Sequence, residues 1–259
     1  LSNEEAIAQE QMLVQLGMQL VEAAKAQDLS LRLLGAIAFR VHCPTHKHLE
    51  YAVGRWLTDV DLACGVKDVD KIIKLFQSQG FVENERVRLI HGNERLIFDH
   101  PNGAHCDVFV DRLHFCHDVW FKGRYDADYP SIPLAELLLE KLQIVGFEPK
   151  DAVDSFVLLR EHQLGDGDKE TVNVGLIAKI CADDWGFWKT IHLNLDKIDE
   201  FARKGDLPVS DEDRNDVLAK TAAIRKRLDD VPKSFKWQMR AKIGTRMPWY
   251  RAVDELTRD

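Results

Sequence analysis

Residues 33–61 constrain the fold of this chain more than any other stretch. A short apolar run, residues 31–34, ends on Gly35-Ala36, and a second run carries Asp59-Val60-Asp61. Side chains alternate along a strand, so Asp59 and Asp61 share one face while Val60 and Leu62 turn to the core. Neighbouring carboxylates raise each other's pKa unless a cation lies between them, so such a pair on an open face reads as a metal clamp. Oxygen-only ligands suit a hard divalent ion, magnesium or manganese. An isolated Asp-x-Asp also fits a solvated strand end. The Gly35 turn, Arg55, Thr58 and a third acid, Asp107, on a later strand favour the clamp here.

Along the chain, residues 3–28 carry Ile7, Met12, Leu13, Leu16, Leu20 and Val21 at three- and four-residue spacings, an amphipathic helix able to cover one face of a sheet. Residues 36–41 read as a helix stopped by Pro44, residues 42–50 as a polar loop, and residues 68–79 as a helix ended by Gly80. A strand is expected near 86–91. A hairpin follows, 95–100 and 104–110, around Pro101-Asn102-Gly103, where Asn-Gly supplies the positive φ of a tight turn. This order predicts an α+β fold, a small mixed β-sheet with helices on one face. Tyr129-Pro130-Ser131-Ile132-Pro133 marks a boundary between residues 1–130 and a mostly α-helical 131–259. Helices are expected over 134–145, from Pro149, over 172–187, 189–203 and 211–228, and from Ser234, with a loop at Gly165-Asp166-Gly167-Asp168.

Hydrophobic residues make up 45% of the 259, enough for a packed core, and no apolar run reaches the roughly 20 residues of a membrane span. The start of the sequence, Leu1-Ser2-Asn3-Glu4-Glu5, is acidic where a signal peptide is basic, so the expected location is cytoplasmic, with no membrane partner. Five scattered cysteines read as reduced thiols. Cys43, His46 and His48, and likewise His105, Cys106, His114, Cys116 and His117, lack the paired Cys-x-x-Cys spacing of a zinc site. The net charge is -8, yet residues 220–251 are basic, with Phe235, Trp237, Trp249 and Tyr250 interleaved. That pattern suits stacking on a nucleic acid and equally suits a solvated helix face above core aromatics.

In Gly35-Ala36, Asp59-Val60-Asp61 and Asp107 the sequence resembles the nucleotidyltransferases of the DNA polymerase beta superfamily. Their pattern is a strand, Gly-Gly or Gly-Ser, then Asp-x-Asp on the next strand and a third acid on a later one. Residues 137–145, with Lys150-Asp151 and Asp154 after them, look like the helical segment of the abortive-infection toxin branch (AbiEii-type). The resemblance covers roughly residues 31–162. It implies metal-dependent transfer of a nucleoside monophosphate from a nucleoside triphosphate, ATP among them, to a hydroxyl of an RNA end, a protein side chain or a small molecule. Asp59 and Asp61 would hold the triphosphate-bound Mg2+ (or Mn2+), and Asp107 would join them at the catalytic metal, the two-ion arrangement such displacements use. Gly35 and Ala36, with Arg55 and Thr58, would meet the nucleotide. Lys141 would reach its phosphates and Asp154 would support the site. An antitoxin partner is implied if the chain is a toxin. Ala36 departs from the pattern, which implies weakened triphosphate binding. A catalytically degraded nucleotide-binding module, and a helical nucleic-acid-binding protein using 220–251, are the other classes the sequence allows.

Overall fold

The computed structural model describes residues 3–204 and 207–253, so the first two residues of the acidic N-terminal stretch and the last six of the chain lie outside it. Helix α1 (Asn3–Lys25) leads into β1 (Leu31–Leu33), α2 (Gly35–His42), α3 (Lys47–Ala52) and β2 (Val60–Cys64). Next come α4 (Val69–Ser78), β3 (Val82–Glu83), α5 (Glu85–His91), the hairpin β4 (Arg95–Asp99) and β5 (His105–Val110), and a smaller ribbon, β6 (Arg112–His114) with β7 (Asp118–Trp120). Five strands form one mixed sheet in the order β1-β2-β5-β4-β3, with β2 and β5 parallel and the remaining pairs antiparallel.

The sheet face bearing Val60, Leu62, Cys106 and Val108 is fully buried. Helix α1 lies close against it because Gly17 has no Cβ, which would otherwise stand 2.7 Å from Ile37 Cδ1 and 3.3 Å from Val60 Cγ1. Leu13, Leu20 and Val21 form its inner stripe, while Ile7 and Met12, assigned to that stripe from their spacing, are exposed.

A helical region follows: α6 (Leu134–Leu142), α7 (Pro149–Glu161), the short parallel pair β8 (Gln163–Gly165) and β9 (Thr171–Asn173), then α8 (Val174–Asp183), α9 (Trp185–Arg203), α10 (Asp211–Asp230) and α11 (Phe235–Ile243). The proline-rich segment before α6 lies alongside β1, with Leu33 N–H donating to the Pro130 carbonyl (3.0 Å) and Ile132 N–H to the Leu33 carbonyl (3.1 Å). No helix among the described residues is long and apolar enough to cross a membrane.

Three local expectations fail, each for a side-chain reason. Residues 86–91 form helix α5 rather than a strand, because the Asn84 side chain accepts from Val87 N–H and starts a helical turn. Residues 47–52 form α3 inside the expected loop, anchored by buried Leu49 and by Glu50 paired with Arg40. The helix expected over 172–187 is divided: Asn173 caps α8 by accepting from Leu176 N–H (2.9 Å), and Asp184 caps α9 by accepting from Phe187 N–H (3.0 Å).

Candidate active site

The parallel pairing of β2 with β5 sets Asp61 directly opposite Asp107. Both point away from the packed face, into a cleft of about 250 Å³ that Gly35, Asp59, Arg95, Phe109 and Glu140 also line. Asp59 stands one residue ahead of β2, at a bend in the chain. Three carboxylates that the sequence expectation joined thus border one cavity.

Gly35 begins α2 with φ +64°, in the left-handed region. A Cβ at this position would lie 2.7 Å from Asp61 Cβ and closer still to its Oδ2, so glycine is what lets the carboxylate occupy this space. Leu34 N–H donates to the Asp61 carbonyl (2.9 Å), which fixes the turn to β2. Gly35 N–H donates to Glu140 Oε2 (3.0 Å). The amide that the resemblance aims at phosphate is therefore bonded to a carboxylate from α6, and Ala36 behind it is buried.

Arg95 on β4 faces Phe109 across the ladder, and Phe109 lies two residues from Asp107 on the same side of β5. The guanidinium passes 5.2 Å from the Phe109 ring centroid, and its Nε donates to both Asp107 oxygens at 2.9 Å, with Nη2 completing a fork. Among the described residues no guanidinium forks onto Asp61 in this way. Burial first, then the charges of Asp59, Asp107 and Glu140, push its pKa well above the usual carboxylate range.

Behind the cleft lies a buried ionic cluster. Lys141 pairs with Asp154 (3.1 Å) and Glu140 (3.2 Å), and Arg55 pairs with Asp154 (3.4 Å). Burial opposes the charged forms, yet Glu140 and Asp154 hold Lys141 protonated, and Lys141 with Arg55 holds the Asp154 pKa below its ordinary value. The structure brings Lys141, Asp154 and Arg55 together with Glu140, and none of the three is among the residues that line the cleft. Thr58 is exposed beside Asp59.

The donor set fits a hard divalent cation: every candidate ligand is a carboxylate oxygen, and the charges of Asp59, Asp107 and Glu140 on Asp61 outweigh the opposing one of Lys141. Among the described residues the aspartate oxygens do not all lie within 4.8 Å of one another, since Arg95 holds Asp107 on its own.

A cavity of about 560 Å³ shares Phe115 and Glu140 with the acidic cleft. It also shares Cys116, Tyr250 and Arg251 with a cavity of about 620 Å³ walled by Trp185, Trp237, Trp249, Lys236 and Arg240. Of the aromatics of 220–251, Trp237, Trp249 and Tyr250 thus line cavities that adjoin the aspartate cleft, whereas Phe235 is exposed outside them. Many of that segment's charges are engaged internally: Lys220 with Asp216, Arg225 with Asp196 and Asp199, Lys226 with Asp230, Arg227 with Asp166 and Arg251 with Asp118.

Sequence reasoning missed Arg95 and Glu140. The signal for Arg95 was its place in the hairpin, two residues before the partner of Asp107; Glu140 was overshadowed by the lysine beside it.

No protein-family model matches the chain, and no curated protein does. Among solved structures, an antigenic nucleotidyltransferase-like protein from Paracoccidioides brasiliensis is similar over 90% of this chain and 96% of that one, with 14% identity and a TM-score of 0.38. So loose a likeness carries no functional argument.

Proposed function

We propose that this protein is a metal-dependent nucleotidyltransferase that moves a nucleoside monophosphate from a nucleoside triphosphate to a hydroxyl. The observation that carries this reading is the meeting of Asp59, Asp61 and Asp107 around one cleft beside the left-handed Gly35 turn. A magnesium ion held by Asp59 and Asp61, with Asp107 as a third ligand, would supply charge neutralisation for the triphosphate and polarise its phosphorus. Arg95 orients Asp107. Glu140 occupies the Gly35 amide and must yield that donor for a phosphate to reach it. Residues 1–130 supply the acids, and 131–259 close the cleft through Glu140 and build the groove beyond it. The acceptor we favour is an RNA end, whose unstacked bases suit the tryptophans along that groove. In this reading the protein belongs with the abortive-infection toxin branch, acts in the cytoplasm, and would be held in check by an antitoxin.

The test is transfer of label from α-labelled nucleoside triphosphates, with magnesium, to RNA, protein or metabolites of a cell extract. Asp59→Asn, Asp61→Asn and Asp107→Asn should each abolish transfer while keeping the wild-type circular dichroism spectrum. Transfer at the wild-type rate by any of them removes that residue from the site.

Two observations favour a second reading, a nucleotide-binding module without catalysis: the Gly35 amide is filled by Glu140, and Ala36 stands where a glycine or serine is expected. A thermal shift separates a binder from a protein with no nucleotide site, since a ligand at 100 times its Kd adds about 2.7 kcal/mol. A module shifts with triphosphate but transfers no label.

A further inference from the structure

The far end of α2 presents a second constellation, built from residues distant in sequence. His42, the last residue of α2, His162, which ends α7, and Glu170, just before β9, bring one nitrogen or oxygen each within 4.8 Å of the others. Both imidazoles are buried, 8% and 7% exposed, whereas the Glu170 side chain is 53% exposed. Among the described residues no other group of three histidine, cysteine or acidic side chains is so close. The clusters weighed from sequence do not assemble: Cys43 and Cys106 are buried in the core, His105 pairs with Asp99, and His117 bonds to Thr190.

Hydrogen bonds fix which nitrogen of each ring carries a proton. The Ser131 hydroxyl donates to the Ile132 carbonyl (2.5 Å), so towards His42 Nε2, 2.8 Å away, it is an acceptor and Nε2 carries the hydrogen. His162 Nε2 lies 3.1 Å from the His42 carbonyl, which can only accept. With both Nε2 atoms donating, Nδ1 is the atom each ring turns towards the Glu170 carboxylate, His42 Nδ1 lying 3.3 Å from Oε1 and His162 Nδ1 3.7 Å from Oε2. Three lone-pair donors facing one another repel unless a cation lies among them. A tetrahedral zinc site with bonds of about 2.0–2.1 Å has ligand-to-ligand edges of about 3.3 Å, which the His42–Glu170 contact matches, and all three ligand atoms lie within 4.8 Å of one another.

The surroundings hold the ligands in place. Glu170 sits at φ +47°, and its N–H donates to Oδ2 of buried Asp128 (3.2 Å). A non-glycine residue in that conformation costs roughly 1–3 kcal/mol and persists where its surroundings demand it. Ser131 and the His42 carbonyl are the outer partners that metal-bound imidazoles use for orientation.

We propose that His42 Nδ1, His162 Nδ1 and Glu170 form a binding site for a borderline-soft divalent metal of the zinc class, with the fourth tetrahedral position open to solvent on the Glu170 side. Two imidazoles and one carboxylate select zinc, cobalt or nickel over magnesium. The site is separate from the aspartate cleft, although α2 runs between the two.

The test is titration of the metal-free full chain with ZnCl2 by calorimetry, together with the visible spectrum of the cobalt-loaded protein. One equivalent should bind in a ten-fold excess of Mg2+, and cobalt should give the strong d–d bands of a low-coordinate ion. Glu170→Gln, at a half-exposed position that spares the fold, should weaken zinc binding by at least ten-fold. Ser131→Ala should weaken it about 10–100-fold through loss of ring orientation. Asp61→Asn should leave it unchanged. Failure to take up zinc overturns the site, as does uptake equal in the wild type and the Glu170→Gln and Ser131→Ala variants. Uptake lost in Asp61→Asn but kept in Glu170→Gln assigns the metal to the aspartates instead and equally overturns it.

Discussion

The Asp61 carboxylate fills the space in which a side chain at Gly35 would begin. Gly35 is thus bound twice to its role, by φ +64° and by the acid packed over it. Gly35→Ala should destabilise the protein by about 1–3 kcal/mol, more than the few tenths expected of an exposed glycine, as read from the urea midpoint at unchanged slope. A loss below about 0.5 kcal/mol would mean that Asp61 moves aside at little cost.

Glu140 occupies the Gly35 amide, so Glu140→Gln should tighten binding of a magnesium nucleoside triphosphate. Removing one negative charge from the cleft while keeping the side-chain shape predicts a gain of roughly 3–10-fold, or about 1 kcal/mol. Calorimetry on the two proteins decides it. Unchanged or weaker affinity would show that phosphate does not approach this amide.

Lys141, Asp154 and Arg55 make a buried ionic cluster in which each charge depends on the others. Asp154→Ala takes from Arg55 its paired carboxylate and leaves Lys141 with Glu140, and should cost about 3–5 kcal/mol. Lys141→Met with Asp154→Leu removes both members of the pair and should cost less than the sum of the single changes. A double-mutant cycle in urea measures the difference.

His117 is buried with its ring stacked on Phe187 at 4.8 Å, and its Nε2 lies 2.8 Å from the Thr190 hydroxyl. Burial pushes its pKa down to about 4. Between about pH 6.5 and 4 the unfolded chain takes up a proton that the folded chain refuses, so stability falls as pH drops through this window. The fall is up to about 3 kcal/mol, and the contribution is level above about pH 7. His117→Gln should lack this slope in denaturation series at pH 7, 5.5 and 4.5.

What the sequence made legible was whatever depends on short-range periodicity. The alternation Asp59-Val60-Asp61, the glycine after an apolar run and the Asn-Gly hairpin all lie within a few residues of their causes. Residues 86–91 went astray because one capping side chain, Asn84, outweighed a strand-like pattern. Arg95 and Glu140 depend on ladder register and on the docking of α6, and His42, His162 and Glu170 on the packing of α2, α7 and a loop. Spacing within the chain carries no trace of such meetings.

Because Asp61 and Asp107 are opposed across a parallel ladder, the acidity of the cleft is inherited through strand length as much as through residue identity. Gain or loss of one residue inside β2 or β5 would turn an acid under the sheet and bring Leu62 or Val108 to the surface, with neither aspartate replaced. Descendants of this chain can therefore lengthen or shorten at the turn around Gly103, beyond the ladder, while an indel four residues further on would silence the cleft at a stroke.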